Sequence, residues 1–212
     1  MFEVKKNNIK NPLSDIQKNN IYISLDEASK NSFTFTFASR LLLDKGIQEF
    51  IDAAKDILKN NSYAVNFVIC GSHDEEDERY IDKTCLEEIK SIIGIDYLGN
   101  SNEMKKIISN SSCIVLPSYY NEGVPRILIE SLAIGRPIIT TNRPGCKDTI
   151  LENQTGFLVN ERDSMDLKHQ MIRMIELPYD KYETMTIASR EHAKNNFSDE
   201  IIILDYHSII NS

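Results

Sequence analysis

Two carboxylates, Glu122 and Glu130, stand with seven residues between them inside the segment Pro117–Gly145. Glu122 precedes Gly123, Val124 and Pro125 at the start of a predicted helix. A glycine there lets another group approach the backbone, and the helix start offers free N–H groups and a positive dipole end. A carboxylate at such a place accepts hydrogen bonds from sugar hydroxyls, or it simply caps the helix, since acidic residues favour first turns. Glu130 lies in Ile127–Ile134, a run that is apolar on nearly every side and therefore predicts a mostly buried helix. A buried carboxylate needs partners or a shifted pKa. Arg126, four residues earlier, would supply an ion pair worth about 0.3 kcal/mol if exposed. A pair of vicinal hydroxyls, as on a ribose, would serve as well, and the residue alone leaves both open. Arg40 and Lys45 add two cations that could meet a diphosphate, the arginine with a planar fork. The alternative is two solvated surface charges.

The elements that must position these groups follow from periodicity. Phe33–Phe37 alternates rings with threonines, a strand pattern. Asp44 is a possible N-cap, and Ile47, Phe50, Ile51, Ala54 and Leu58 follow at helical spacing. The pattern then repeats: strand Ala64–Cys70, helix near Arg79–Ile93, strand Ile95–Leu98, helix Asn102–Ser109, strand Cys113–Leu116. A helix over Pro125–Ile134 comes next, with Pro125 in its first turn. Strands Pro137–Thr140 and Gly156–Val159 complete the set. From Asp163 the chain reads as helical to its end, with a break near Pro178. Residues 1–32 read as a leader or linker with a short strand at Ile21–Leu25, and residues 33–212 as one domain with a helical tail. Strand–helix alternation with short connections predicts a Rossmann-like α/β three-layer sandwich with a mostly parallel sheet. Such sheets bind ligands beyond the carboxyl ends of their strands. Those positions are Ser39–Gly46, Gly71–Glu75, Gly99–Ser101, Ser118–Pro125 and Thr141–Gly145. They contain Arg40, Lys45 and Glu122, with Gly71, His73 and Ser118 as secondary candidates.

Other chemistries find little support. A net charge of −8 disfavours nucleic acid as a partner. None of the four cysteines forms a CxxC pair. Cys70 and Cys113 lie in apolar runs, as buried thiols in a reducing compartment do. The acidic run Asp74–Glu78 lacks the spacing of a calcium loop and reads as a solvated helix start. His169, His192 and His207 fall in the helical tail as structural or exposed residues. There is no G-x-S-x-G turn and no phosphate-binding G-x-x-x-x-G-K loop. No run of eighteen apolar residues occurs, and the first residues lack the apolar stretch of a signal peptide, so a cytoplasmic location is expected.

The chain resembles the C-terminal domain of family 4, group 1 retaining glycosyltransferases of the two-domain GT-B architecture, the capsular-polysaccharide and O-antigen type in particular. The resemblance covers residues 33–210. It runs through Ala38-Ser39-Arg40-Leu41 with Lys45-Gly46, Ile69-Cys70-Gly71 and Tyr97-Leu98-Gly99. It is densest in LPSYYNEGVPRILIESLAIGRPIITTNRPGCKDTI and ends with Gly156-Phe157-Leu158-Val159. The pair Glu122 and Glu130 matches the family's E-x7-E motif. Asn121, where the capsular type often has arginine or another residue, and Asp148, where relatives commonly have glutamate, are departures.

The resemblance implies roles. Arg40 and Lys45 would bind the donor diphosphate. Glu122, in the catalytic position, would contact the donor sugar. Gly123, Val124 and Pro125 would lie against sugar and phosphate, and Glu130 would bind the ribose hydroxyls. No metal or other cofactor is implied. The co-substrate would be a nucleotide sugar, a UDP-sugar by expectation. The acceptor would be a lipid-linked or other saccharide, reached at the inner face of the cell membrane. The acceptor-binding N-terminal domain would have to come in cis or from a separate chain, because residues 1–32 are too few to supply it. A non-catalytic nucleotide-binding module, or a nucleotide-sugar hydrolase or epimerase of the same architecture, is the alternative.

Overall fold

A computed structural model describes residues 32–59, 63–73, 78–121 and 123–198. The expected strand at Ile21–Leu25, most of the acidic run Asp74–Glu78, Glu122, His207 and the end of the helical tail lie outside the described residues.

Six strands form one sheet: β1 (Phe33–Ala38), β2 (Val65–Cys70), β3 (Ile95–Gly99), β4 (Cys113–Leu116), β5 (Ile138–Thr141) and β6 (Gly156–Val159). Their order is β3-β2-β1-β4-β5-β6, and every neighbouring pair is parallel. The alternation in β1 is used as the pattern demands. Phe35 stacks on Phe67 at 5.8 Å, and Phe37 meets Phe50 at 5.6 Å. On the other face the Thr36 hydroxyl hydrogen-bonds that of Ser111 at 2.6 Å. Strands β4 and β5 are buried at every position, as central parallel strands covered on both faces are.

Helices cover both faces. On one side α1 (Ile47–Leu58) packs against α5 (Ser164–Ile175), and Lys55 of α1 pairs with Glu88 of α2 (Lys83–Ser91) at 2.6 Å. On the other, α4 (Arg126–Ile134) packs against α3 (Met104–Asn110) and α6 (Tyr179–Phe197). α6 is tied down by Tyr182, whose buried hydroxyl donates to the Ser112 carbonyl at 2.7 Å. His192 holds its far end by hydrogen bonds to the Thr149 carbonyl and to Asn196. His169 is exposed, and Cys70 and Cys113 are buried free thiols.

Several boundaries differ from the periodicity. Asp44 caps nothing. It sits in a 3-10 turn, Leu43–Lys45, and Gly46 in the left-handed region is the residue before α1. Pro125 is the residue before α4 and not its first turn; its carbonyl accepts from Leu128 N at 3.1 Å. The helix expected from Arg79 begins only at Lys83, capped by Asp82, whose carboxylate accepts from Cys85 N at 2.7 Å. Arg79 lies in a turn, and the chain through Ile81 runs antiparallel to Leu41–Leu43, with Leu42 bridging Tyr80. A short 3-10 turn at Lys147–Thr149 was not legible in the periodicity. Among the described residues, no helix is long and apolar enough to cross a membrane.

Candidate functional site

The strand order reverses direction between β1 and β4, and a crevice at such a switch point is where open parallel sheets take ligands. Two loops meet there: Ser39–Gly46 after β1 and Pro117–Pro125 after β4. They are joined backbone to backbone. The Asp44 carbonyl accepts from Tyr119 N at 3.0 Å and Tyr120 N at 3.1 Å, and also from the Ser118 hydroxyl at 3.3 Å. Gly46 makes the approach possible. Its φ is +79°, and a Cβ there would stand 2.3 Å from the Pro117 carbonyl oxygen. Only glycine meets both conditions.

Lys45 is carried by this junction. It is 7 % exposed, with its ammonium 4.9 Å from the centre of the Tyr120 ring. That excludes a solvated surface charge for Lys45. Arg40 is exposed. Ser118 is fully buried, and besides donating to Asp44 its oxygens accept from Tyr120 N and the Thr141 hydroxyl, so it braces the loop from within. Gly71 is also an internal packing position: a Cβ there would stand 1.7 Å from the Ser39 carbonyl oxygen. His73 donates from Nε2 to the Ile81 carbonyl at 2.7 Å, tying the loop after β2 to the segment 79–81.

The far side of the crevice is the start of α4. Gly123 and Val124 are exposed, and Pro125 is buried. A Cβ built on Gly123 would meet nothing within 4 Å, so the protein itself does not crowd the backbone there. Glu130 is five residues into the helix. Its side chain is 19 % exposed and meets Arg126 Nη2 at 3.5 Å, while Arg126 is 72 % exposed. Burial raises the Glu130 pKa above its ordinary value, and Arg126 offsets only part of that. One long contact to a solvated arginine is weak compensation for a carboxylate so far out of water. The sequence left Arg126 and a diol as rival partners; the arginine is present but leaves most of the carboxylate's capacity unused.

The sequence did not single out four residues that the tertiary structure brings to this edge. Tyr120 presents an exposed ring beside Lys45. Arg79 reaches the same ring and pairs with Asp44 at 3.6 Å. Arg162, in the left-handed region at φ 54°, lies over the Tyr119 ring at 4.4 Å. Glu49, in the first turn of α1, keeps one carboxylate oxygen buried with no hydrogen-bond partner, and burial raises its pKa. No local signal marked Arg79, which lies in a turn beside an acidic run that read as a helix start. Among the described residues, no group of three His, Cys, Asp or Glu side chains is arranged to hold a metal ion.

The family model of the glycosyl transferases group 1 matches residues 24–192. The chain belongs to this family. It is 28 % identical over 182 residues to the capsular polysaccharide biosynthesis glycosyltransferase CapM of Staphylococcus aureus, covering 86 % of this chain and 47 % of that protein. It is 31 % identical over 148 residues to the UDP-Gal:alpha-D-GlcNAc-diphosphoundecaprenol alpha-1,3-galactosyltransferase of Escherichia coli, covering 69 % and 37 %. The chain thus spans less than half the length of either relative. Among solved structures it is similar to Anabaena Alr3699/HepE in complex with UDP, with a TM-score of 0.75 at 19 % identity, covering 94 % of this chain and 52 % of that one. The C-terminal domain of the group 1 glycosyl transferase LpcC from Francisella tularensis gives 0.69 at 20 % identity, covering 79 % and 87 %. Both likenesses speak to the fold, the Rossmann-like half of a GT-B glycosyltransferase, as the sequence resemblance implied.

Proposed function

We propose that residues 33–212 are the donor-binding domain of a retaining glycosyltransferase that takes a UDP-sugar. The observation that carries this is Lys45, drawn out of solvent at the β1/β4 switch point and backed by Tyr120, with the under-compensated Glu130 on the helix that follows β4. A buried cation and a buried acceptor at one ligand crevice match the two ends of a nucleoside diphosphate: phosphate and ribose. Arg40 and Lys45 hold the diphosphate, Glu130 the ribose hydroxyls, Glu122 the sugar, and the backbone at Gly123, Val124 and Pro125 lies against both. The cations stabilise the charge that develops on the leaving diphosphate, so no metal is required. Gly71 and Ser118 brace the crevice loops from within, and His73 ties the loop after β2 to Ile81.

UDP as the nucleotide is supported by the relative named for UDP-Gal and by the neighbour bound to UDP. The polysaccharide biosynthesis named for CapM supports a hexose or N-acetylhexosamine passed to a lipid-linked or saccharide acceptor. That acceptor would be held by a second domain, in cis or as a separate chain. The enzyme would work in the cytoplasm, peripherally at the membrane's inner face.

Titration calorimetry with UDP and UDP-sugars tests the donor half. Binding is expected, and Lys45→Ala and Glu130→Ala should each weaken it by about tenfold or more, the scale of one lost charge-assisted hydrogen bond. Absence of binding to any nucleoside diphosphate would refute the proposal. With the second domain supplied, glycosylated acceptor rather than free sugar is the expected product, its anomeric configuration retained.

A further inference from the structure

We infer that Arg162 is a positioning residue for the donor. Stacked over Tyr119, it fixes the loop after β4 against the loop after β1, so that Tyr120 and Gly123, Val124 and Pro125 keep their places in the crevice. This role rests on the donor-binding function proposed above and brings in the loop after β6.

Arg162 is itself held firmly. Val159 ends β6, and its carbonyl accepts from Asn142 N at 3.3 Å, just beyond β5. The Asp166 carboxylate then accepts from Asn160 N at 2.8 Å and from Asn160 Nδ2 at 2.9 Å. Asp163 caps α5 by accepting from Asp166 N at 2.9 Å. Arg162 sits between these clamps with φ at 54°. Glycine takes that conformation at no steric cost, and arginine does not. Backbone strain of this kind persists only where the surroundings over-determine it, and it gathers at ligand clamps.

What the strained residue reaches is a ring. Its guanidinium carbon lies 4.4 Å from the centre of Tyr119, within the range of a cation–π contact. Burial raises the pKa of both Tyr119 and Glu49, which stands in the first turn of α1, and the Arg162 charge lowers both in part.

Tyr119 passes this hold on to the loop. Its N–H and that of Tyr120 share one acceptor, the Asp44 carbonyl, at 3.0 and 3.1 Å. A shift of one therefore moves the other. The Tyr120 ring in turn stands 4.9 Å from the Lys45 ammonium. Two neighbouring rings of one loop are thus met by cations from two other loops, those after β6 and β1. The same loop then runs on through Gly123, Val124 and Pro125 to the start of α4.

Calorimetry with UDP and thermal melts test this role on the wild type, Arg162→Gly, Arg162→Lys, Tyr119→Leu and the double variant R162G/Y119L. Arg162→Gly relieves the backbone and removes the stack. It is expected to weaken UDP by about threefold, the scale of one exposed cation–π contact, with Tm equal to or above that of the wild type. Arg162→Lys should recover part of the loss, because the charge stays and the planar face goes. In the Tyr119→Leu background Arg162→Gly should add almost nothing, since the two side chains act as one unit. Without ligand, amide exchange at Tyr119 and Tyr120 should quicken in Arg162→Gly. Equal UDP affinity in Arg162→Gly and the wild type overturns the inference. So does the same proportional loss in both backgrounds, the signature of a distant charge acting on the phosphates. A loss of affinity that comes with a fall in Tm marks a merely structural clamp and overturns it too. A wild-type chain that binds no UDP defeats the donor-binding function itself, while the two amides still show whether Arg162 holds the loop.

Discussion

Glu130 costs the fold stability at neutral pH. Its pKa in the folded chain is raised above the ordinary carboxylate value of 4.5 by burial, with Arg126 compensating in part. A raised folded pKa means that its contribution to stability is fully present below the unfolded value and is lost as pH rises through the folded value. Glu130→Gln keeps the shape and removes the charge. It is therefore expected to raise Tm at pH 7 by an amount corresponding to at most about 1 kcal/mol, with the advantage shrinking toward pH 4. The same substitution should weaken UDP binding. Thermal melts of both proteins across that range check the first expectation, and a variant no more stable than wild type at pH 7 would contradict it. Gain in stability with loss of ligand is the usual sign that a residue is kept for function.

At the scale of elements, the loop after β1 and the loop after β4 act as one unit, and Gly46 is where they touch. Gly46→Ala places a methyl 2.3 Å from the Pro117 carbonyl oxygen at a φ of +79°. The strain of a left-handed non-glycine residue alone costs about 1–3 kcal/mol, and the clash adds to it. Urea denaturation should show a loss of at least about 2 kcal/mol, with UDP affinity falling because Lys45, one residue earlier, moves with the turn. An alanine variant with wild-type stability would mean that the two loops are not packed this closely. The same junction explains why the Asp44 N-cap was misplaced from the sequence. Periodicity finds where apolar residues recur, but the left-handed glycine that starts α1 is selected by a backbone 71 residues further on, at Pro117.

For the whole molecule, the site is an edge: Arg40, Lys45, Gly123, Val124 and Pro125 all follow the carboxyl ends of parallel strands. Hydrogen exchange with and without UDP is expected to slow amides in 39–46, 79–81 and 117–130, leaving α2 and the turn before β6 unchanged. Protection spread evenly over the chain, or confined to the amino ends of the strands, would place the nucleotide elsewhere. Family membership through residues 24–192 and likeness to the LpcC C-terminal domain agree on the architecture.

By itself the sequence determined the six strands, their alternation with helices, the carboxyl-edge positions of Arg40 and Lys45, and the E-x7-E spacing. Each of these is local: a period of two or 3.6, a glycine or proline stop, a motif within one segment. What only the tertiary structure decided is contact between distant segments. Lys45 is buried because Tyr120 covers it, and Arg79 reaches the crevice because Leu41–Leu43 pairs with 79–81. Ser118 and Gly71 turn inward because neighbouring backbone fills the space beside them. Burial and partnership are properties of the packed interior, and no periodicity within one element encodes them.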